Sequence, residues 1–142
     1  MTALPATRQA IARLVPHQGA MCLLDRVQAC DEAGIACASA THRDAGNPLR
    51  RDGVLPAVCG VEYALQAMAL HGALTNGAAQ GPGFLAALSG VAMATERLDD
   101  VAGELLVSAA ALARESRGFI YGFEVAGGGQ VLLSGRATIV LA

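Results

Sequence analysis

The stretch 55-LPAVCGVEYALQAMALHGAL-74 decides how this chain is read. Apart from Glu62, Tyr63, Gln66 and His71, residues 57–74 are small or apolar. A helix that is apolar on all sides belongs inside a protein. Pro56 suits its first turn, because proline lacks only an amide that would be unpaired there. The run 75-TNGAAQGPG-83 ends it. The predicted element is therefore one long buried helix from about Pro56 to Leu74. Glu62 lies near its start, and Gln66, four residues on, shares its face. His71 is nine residues away, on the opposite side, and reads as structural.

A buried carboxylate without a partner is costly, or is neutralised by a raised pKa. The periodicity leaves two readings of Glu62 open. It is a general acid or base, which benefits from such surroundings. Otherwise it makes an inter-subunit salt bridge or a bond to a loop amide. The free amides of the helix start, at Ala57, Val58 and Gly60, form a place where an oxyanion can sit. A carboxyl beside an oxyanion site suits proton transfer next to a carbonyl.

Outward from this helix, the chain is 142 residues long, which suits one domain spanning 1–142. It is 54% hydrophobic and 15% charged, which argues for a core-rich fold and against disorder. The formal net charge of -2 gives no sign of a nucleic-acid partner. No apolar run approaches the roughly 20 residues of a membrane span, so no membrane insertion is expected. The start, MTALPATRQAIARL, has no long apolar core of a secretory signal. Cys22, Cys30, Cys37 and Cys59 form no CxxC pair and no zinc-spaced cluster. They read as buried free thiols of a cytoplasmic protein, and neither metal nor cofactor is expected. Cys59, close to Glu62, is a weaker candidate for a nucleophile.

Before the helix, 6-ATRQAIARLV-15 predicts a short amphipathic helix ended near Pro16. The segments 21-MCLLDRVQAC-30 and 34-GIACASAT-41 predict two paired strands, and 42-HRDAGNPLRRDG-53 a loop. After the helix, 84–98, 104–115, 118–126 and 130–141 read as strands. In the third, Phe119, Tyr121, Phe123 and Val125 share a face. In the last, Val131, Leu133, Ala137, Ile139 and Leu141 share one. Period two of this kind marks half-buried antiparallel strands, and 126-AGGGQ-130 marks a hairpin. The class is α+β, a long helix wrapped by an antiparallel sheet.

Three segments together resemble the beta-hydroxyacyl-acyl carrier protein dehydratases, which have the hotdog fold. The stretch 15-VPHQGAMCLLDRV-27 resembles their "PH…LLDRV" opening. In 56-PAVCGVEYALQAMA-69, Pro56, Glu62 and Gln66 keep the spacing of their helix signature. The stretches 84-FLAALSGVAM-93 and 134-SGRATIVL-141 are similar too. Among subtypes, the dehydratase-like hotdog proteins of aryl-polyene clusters are the most similar. The resemblance implies a dimer with the site between subunits, acting on a 3-hydroxyacyl thioester carried on an acyl carrier protein or coenzyme A. One acid/base group removes the α-proton and the other assists departure of the hydroxyl as water. Glu62 carries over as the acidic group and Gln66 as a helper beside it. The family's Gly after Pro is Ala57 here, which keeps its amide.

The family's loop histidine lies about fourteen residues before the Glu, where this chain has Pro48 in 47-NPLRRDG-53. The remaining candidates are His17 in the opening motif and His42 at the start of the loop. Asp25 and Arg26 read as a structural pair. Arg43, Arg50 and Arg51 form either a solvated loop or a patch that steers an acidic carrier protein. Two alternatives stay open. One is a thioesterase on the same fold. The other is a half-active or non-catalytic subunit whose site is completed by a second hotdog protein, in a hetero-oligomer rather than a homodimer.

Overall fold

The computed structural model describes residues 4–16, 19–76 and 83–141. A short helix, α1 (Arg8–Ala12), is capped by the Thr7 hydroxyl, which accepts from the Ala10 amide at 3.1 Å. Two strands follow, β1 (Arg26–Asp31) and β2 (Gly34–Ser39). The long helix α2 (Gly60–Asn76) comes next, led in by a single 3₁₀ turn over Ala57–Cys59. Then come β3 (Gly83–Met93), β4 (Leu105–Glu115), β5 (Gly118–Gly127) and β6 (Gln130–Leu141). The strands form one antiparallel six-stranded sheet in the order β1-β2-β4-β5-β6-β3. Helix α2 lies against β2, β4 and β5. This is the α+β architecture expected from the sequence.

The core forms where the helix meets the sheet. Tyr63, Ala64, Ala67 and Leu70 of α2 pack with Val107, Phe123, Val125 and Leu133 of the sheet. Gly60 lets the helix start come this close: a Cβ there would lie 2.6 Å from Leu133 Cδ2. The hairpin between β5 and β6 turns at Gly128 (φ 59°) and Gly129 (φ 80°), both left-handed, as a type I′ turn requires. The β1–β2 turn is closed by Asp31, whose carboxylate accepts from the Ala33 and Gly34 amides. No described helix is long and apolar enough to cross a membrane.

Three expectations change. Residues 21–25 are not strand: a 3₁₀ turn covers Gly19–Met21, and β1 begins only at Arg26. The backbone groups of Met21 and Leu23 bond to side chains instead of a neighbouring strand. In β6 the register shifts where Ala126 pairs with Val131. That shift leaves Val131 exposed and buries Leu132, so Val131 does not share the inner face with Leu133. Asp25 and Arg26 do not pair with each other. Asp25 binds Arg8 at 2.9 Å and accepts from the Ala40 amide, while Arg26 binds Glu104. Each is engaged elsewhere, Asp25 by the helix α1 and the segment after β2, Arg26 by the segment before β4.

Candidate active site at the start of the central helix

Residues 55–59 bring the chain to the first turn of α2. They are held against the segment after β3 by a short antiparallel bridge. Leu98 N donates to Leu55 O at 2.8 Å, and Ala57 N donates to Glu96 O at 3.0 Å. The Asp99 carboxylate accepts from Leu55 N at 2.9 Å and from Arg97 Nε at 3.1 Å. The Arg97 guanidinium, aided by that amide, holds the Asp99 carboxyl well below the usual carboxylate range. Asp99 is thus an ionised clamp on the segment that leads into the helix.

Of the three helix-start amides, Ala57 is engaged by Glu96, and Gly60 bonds back to Ala57 and Val58 carbonyls. The Val58 amide bonds to no described residue, and Val58 itself is exposed. Glu62 stands in the first turn of α2 and is half-buried in the single chain, less enclosed than an all-round apolar helix predicts. The difference has a simple cause. Glu62, Leu65 and Ala69 recur at helical spacing and form the stripe of α2 that is only half-buried, in line with exposed Val58 in the turn before it.

Cys59 reports the local field. Burial pushes its thiol up, Arg51 pulls it down, and Glu62 pushes it up. Arg51 and Glu62 therefore act on the same thiol from the loop and the helix. A thiol held in its neutral form is a poor nucleophile. All four cysteines are free, and burial pushes Cys37 up to about 12.

Gln66 is fully buried and turned toward the opening segment. Its Oε1 accepts from Leu23 N at 2.8 Å and its Nε2 donates to Met21 O at 2.6 Å. Its amide is spent on those backbone groups, so Gln66 fixes residues 21–23 to the helix one turn beyond Glu62. His17 lies outside the described residues. His42 is not on a loop edge: it is fully buried in a 3₁₀ turn (Thr41–Arg43), with Nε2 2.9 Å from Val101 O. Because Nε2 faces a carbonyl, it carries the proton. Nδ1 then has no partner among the described residues. His71 is fully buried between Tyr121 OH and Asp31 O, each at 2.8 Å, a structural histidine.

The loop that lacks a histidine is filled by Arg50. Its guanidinium donates to Gly53 O at 2.9 Å and to His42 O at 3.1 Å, closing residues 42–53 on themselves. Arg43 and Arg51 stay exposed. Four residues that the sequence did not single out join the site from behind: Ser39, Thr41, Asn47 and Tyr63. Their hydroxyl and amide groups form a buried network between the loop, the opening segment and α2. The only sequence signal was polar residues at positions flanked by core residues.

Comparison with known proteins adds three findings. A family model described as ApeP dehydratase matches residues 9–141. No curated protein matches the chain. Among solved structures, the dehydratase heterocomplex ApeI:P from Xenorhabdus doucetiae aligns with a TM-score of 0.82 at 22% identity, over 99% of this chain and 93% of that one. The uncharacterized protein PH1136 from Pyrococcus horikoshii aligns at 0.62 and 14% identity, over 100% and 95%. A mutant of thioesterase PA1618 from Pseudomonas aeruginosa aligns at 0.57 and 14% identity, over 81% and 78%. At these identities the likeness shows the fold, which is the hotdog fold.

Proposed function

The chain belongs to the ApeP-like dehydratase family, and from that premise we propose that it serves in removing water from 3-hydroxyacyl thioesters held on an acyl carrier protein. The product is the 2-enoyl thioester. Glu62 and His17 act as the acid/base pair. One takes the proton from C2, the other gives a proton to the C3 hydroxyl, and water leaves as the C2–C3 double bond forms. The Val58 amide, bonded to no described residue, supports the thioester oxygen as charge develops on it. Gln66 supports the reading most. It ties Met21 and Leu23, just after His17 in the chain, to the helix turn that follows Glu62.

The arginine-filled loop favours a second form of the same function. With Arg50 closing residues 42–53 and no histidine among 47–53, the chain brings no loop histidine of its own. In that form Glu62 is completed by a second hotdog protein, as the ApeI:P heterocomplex joins two chains. Mass spectrometry of 3-hydroxyacyl-carrier protein, incubated with this chain alone and with a hotdog partner, separates the forms. Loss of water by the chain alone identifies the His17 form, and loss only with partner identifies the shared form. Release of free carrier thiol identifies a thioesterase. Glu62→Gln abolishes water loss in either form, and full turnover in that variant overturns both.

A further inference from the structure

We propose that Tyr63 is a positioning residue for the acid/base site. Its buried hydroxyl, through Thr41 and Asn47, sets the opening segment and the 41–49 loop in fixed register over the helix turn that bears Glu62. This rests on the reading of Glu62 as an acid/base group.

Tyr63 is fully buried and directly follows Glu62. Its hydroxyl lies 2.7 Å from Thr41 Oγ1 and 3.0 Å from Asn47 Nδ2. Thr41 Oγ1 lies 2.8 Å from Leu23 O. Ser39 Oγ also bonds to Leu23 O and lies 2.9 Å from Thr41 Oγ1, and the order in which Thr41 donates to Leu23 O satisfies every member. In that order Thr41 accepts from Tyr63, and the Tyr63 oxygen accepts from the Asn47 amide. The bonds all run one way, from Asn47 through Tyr63 and Thr41 to Leu23, an arrangement in which each strengthens the next. Asn47 is fixed in turn, donating to Thr41 O and accepting from Leu49 N. Burial pushes the Tyr63 phenol up, which keeps this hydroxyl a donor.

Core packing does not call for the hydroxyl. A phenylalanine ring would fill the same space without a polar atom to satisfy. What the hydroxyl adds is a link from the helix to Thr41, which together with Ser39 holds Leu23 O. The helix already holds Leu23 N through Gln66. Leu23 is thereby tied to the helix directly at its N–H and indirectly, through Thr41, at its C=O. Proton transfer is sensitive to such placement, where about 1 Å costs up to about 100-fold in rate.

The test compares wild type, Tyr63→Phe and Glu62→Gln, each with its hotdog partner, on 3-hydroxyacyl-carrier protein well below the melting temperature. We expect Tyr63→Phe to lower kcat about tenfold or more with KM nearly unchanged. Deuterium uptake should rise in residues 19–25 and stay unchanged in β4 and β5. A hydroxyl that matters only for stability lowers the melting temperature and leaves kcat and uptake at 19–25 at wild-type values, and that result overturns the proposal. Full turnover by Glu62→Gln instead removes the underlying reading, and this inference with it. Should Tyr63→Phe not fold, Thr41→Val cuts the next link and is read by the same measures. Failure of both to fold makes the network a folding element and overturns the positioning role.

Discussion

Asp99 and His42 both have pKa values lowered by the fold, the one held ionised and the other neutral. Asp99 is held ionised by Arg97 and the Leu55 amide, its folded pKa lying below the ordinary 3.8. Its contribution is therefore complete above pH 3.8 and is lost as pH falls toward the folded value. Asp99→Asn should lower the melting temperature at neutral pH, and the gap to wild type should close below about pH 3.8 in a thermal-melt series. His42 is held neutral. Burial lowers its pKa most, the bond to Val101 O raises it, and the charges of Arg43 and Arg50 lower it further. Its contribution is complete above the ordinary 6.5 and falls as pH drops from there. His42→Gln, which can still donate to Val101 O, should flatten the loss of stability as pH falls below about 6.5, measured by denaturant midpoints. Neither role was visible in the sequence. Glu62 and Gln66 were, because the spacing of one helix carries them. The partners of Gln66 and Asp99 were not, since 43 residues separate Leu23 from Gln66 and 44 separate Leu55 from Asp99. Local pattern encodes which face a residue takes, and only the closed fold decides what it meets there.

Elements were legible where periodicity alone determines them. The helix expected from about Pro56 to Leu74 is a 3₁₀ turn at Ala57–Cys59 followed by α2, the strands expected at 104–115, 118–126 and 130–141 stand within a residue of β4, β5 and β6, and the strand expected over 84–98 ends at Met93. The pattern failed where side chains take over the backbone. Residues 21–25 have strand-forming composition, but Gln66 takes Leu23 N, and Ser39 and Thr41 take Leu23 O. No ladder can then form there. The slip at Val131 has no local signature, because either register of a short apolar run looks half-buried. Glycines that permit close approach belong to this scale as well. A Cβ at Gly118, the first residue of β5, would lie 2.2 Å from Ile139 O. A main-chain oxygen inside a paired strand cannot swing aside as a side chain can. Gly118→Ala should therefore destabilise the protein by about 1–3 kcal/mol in urea unfolding, by forcing β5 from β6. A midpoint equal to wild type would mean that the β5–β6 pairing yields at no cost.

The whole molecule leaves one side unfinished. Strand β3 pairs with β6 and ends the sheet, and α2 covers β2, β4 and β5 but not β3. Leu85, Leu88 and Met93 are accordingly 40%, 40% and 52% exposed. Val58, in the turn before α2, is exposed, and Glu62, Leu65 and Ala69 of α2 are only half-buried. A long apolar edge strand with free backbone groups is what a soluble chain avoids unless something pairs with it. The sequence marked 84–98 as apolar strand but gave no sign that it would lie at an edge, because strand order depends on crossovers rather than on composition. A second hotdog chain laid along β3 would continue the sheet and cover Leu85, Leu88 and Met93. Leu88→Asp places a carboxylate at the middle of that face. Since Leu88 is already partly exposed, the substitution should leave the circular dichroism of the chain unchanged. If β3 is the contact, the dissociation constant with the partner, measured by sedimentation equilibrium, should rise at least about tenfold, the equivalent of about 1.4 kcal/mol. Water loss from the acyl substrate should fall in parallel where the partner completes the site at Glu62. An unchanged dissociation constant would move the interface away from β3, and activity retained by the dissociated chain would favour the His17 form of the site.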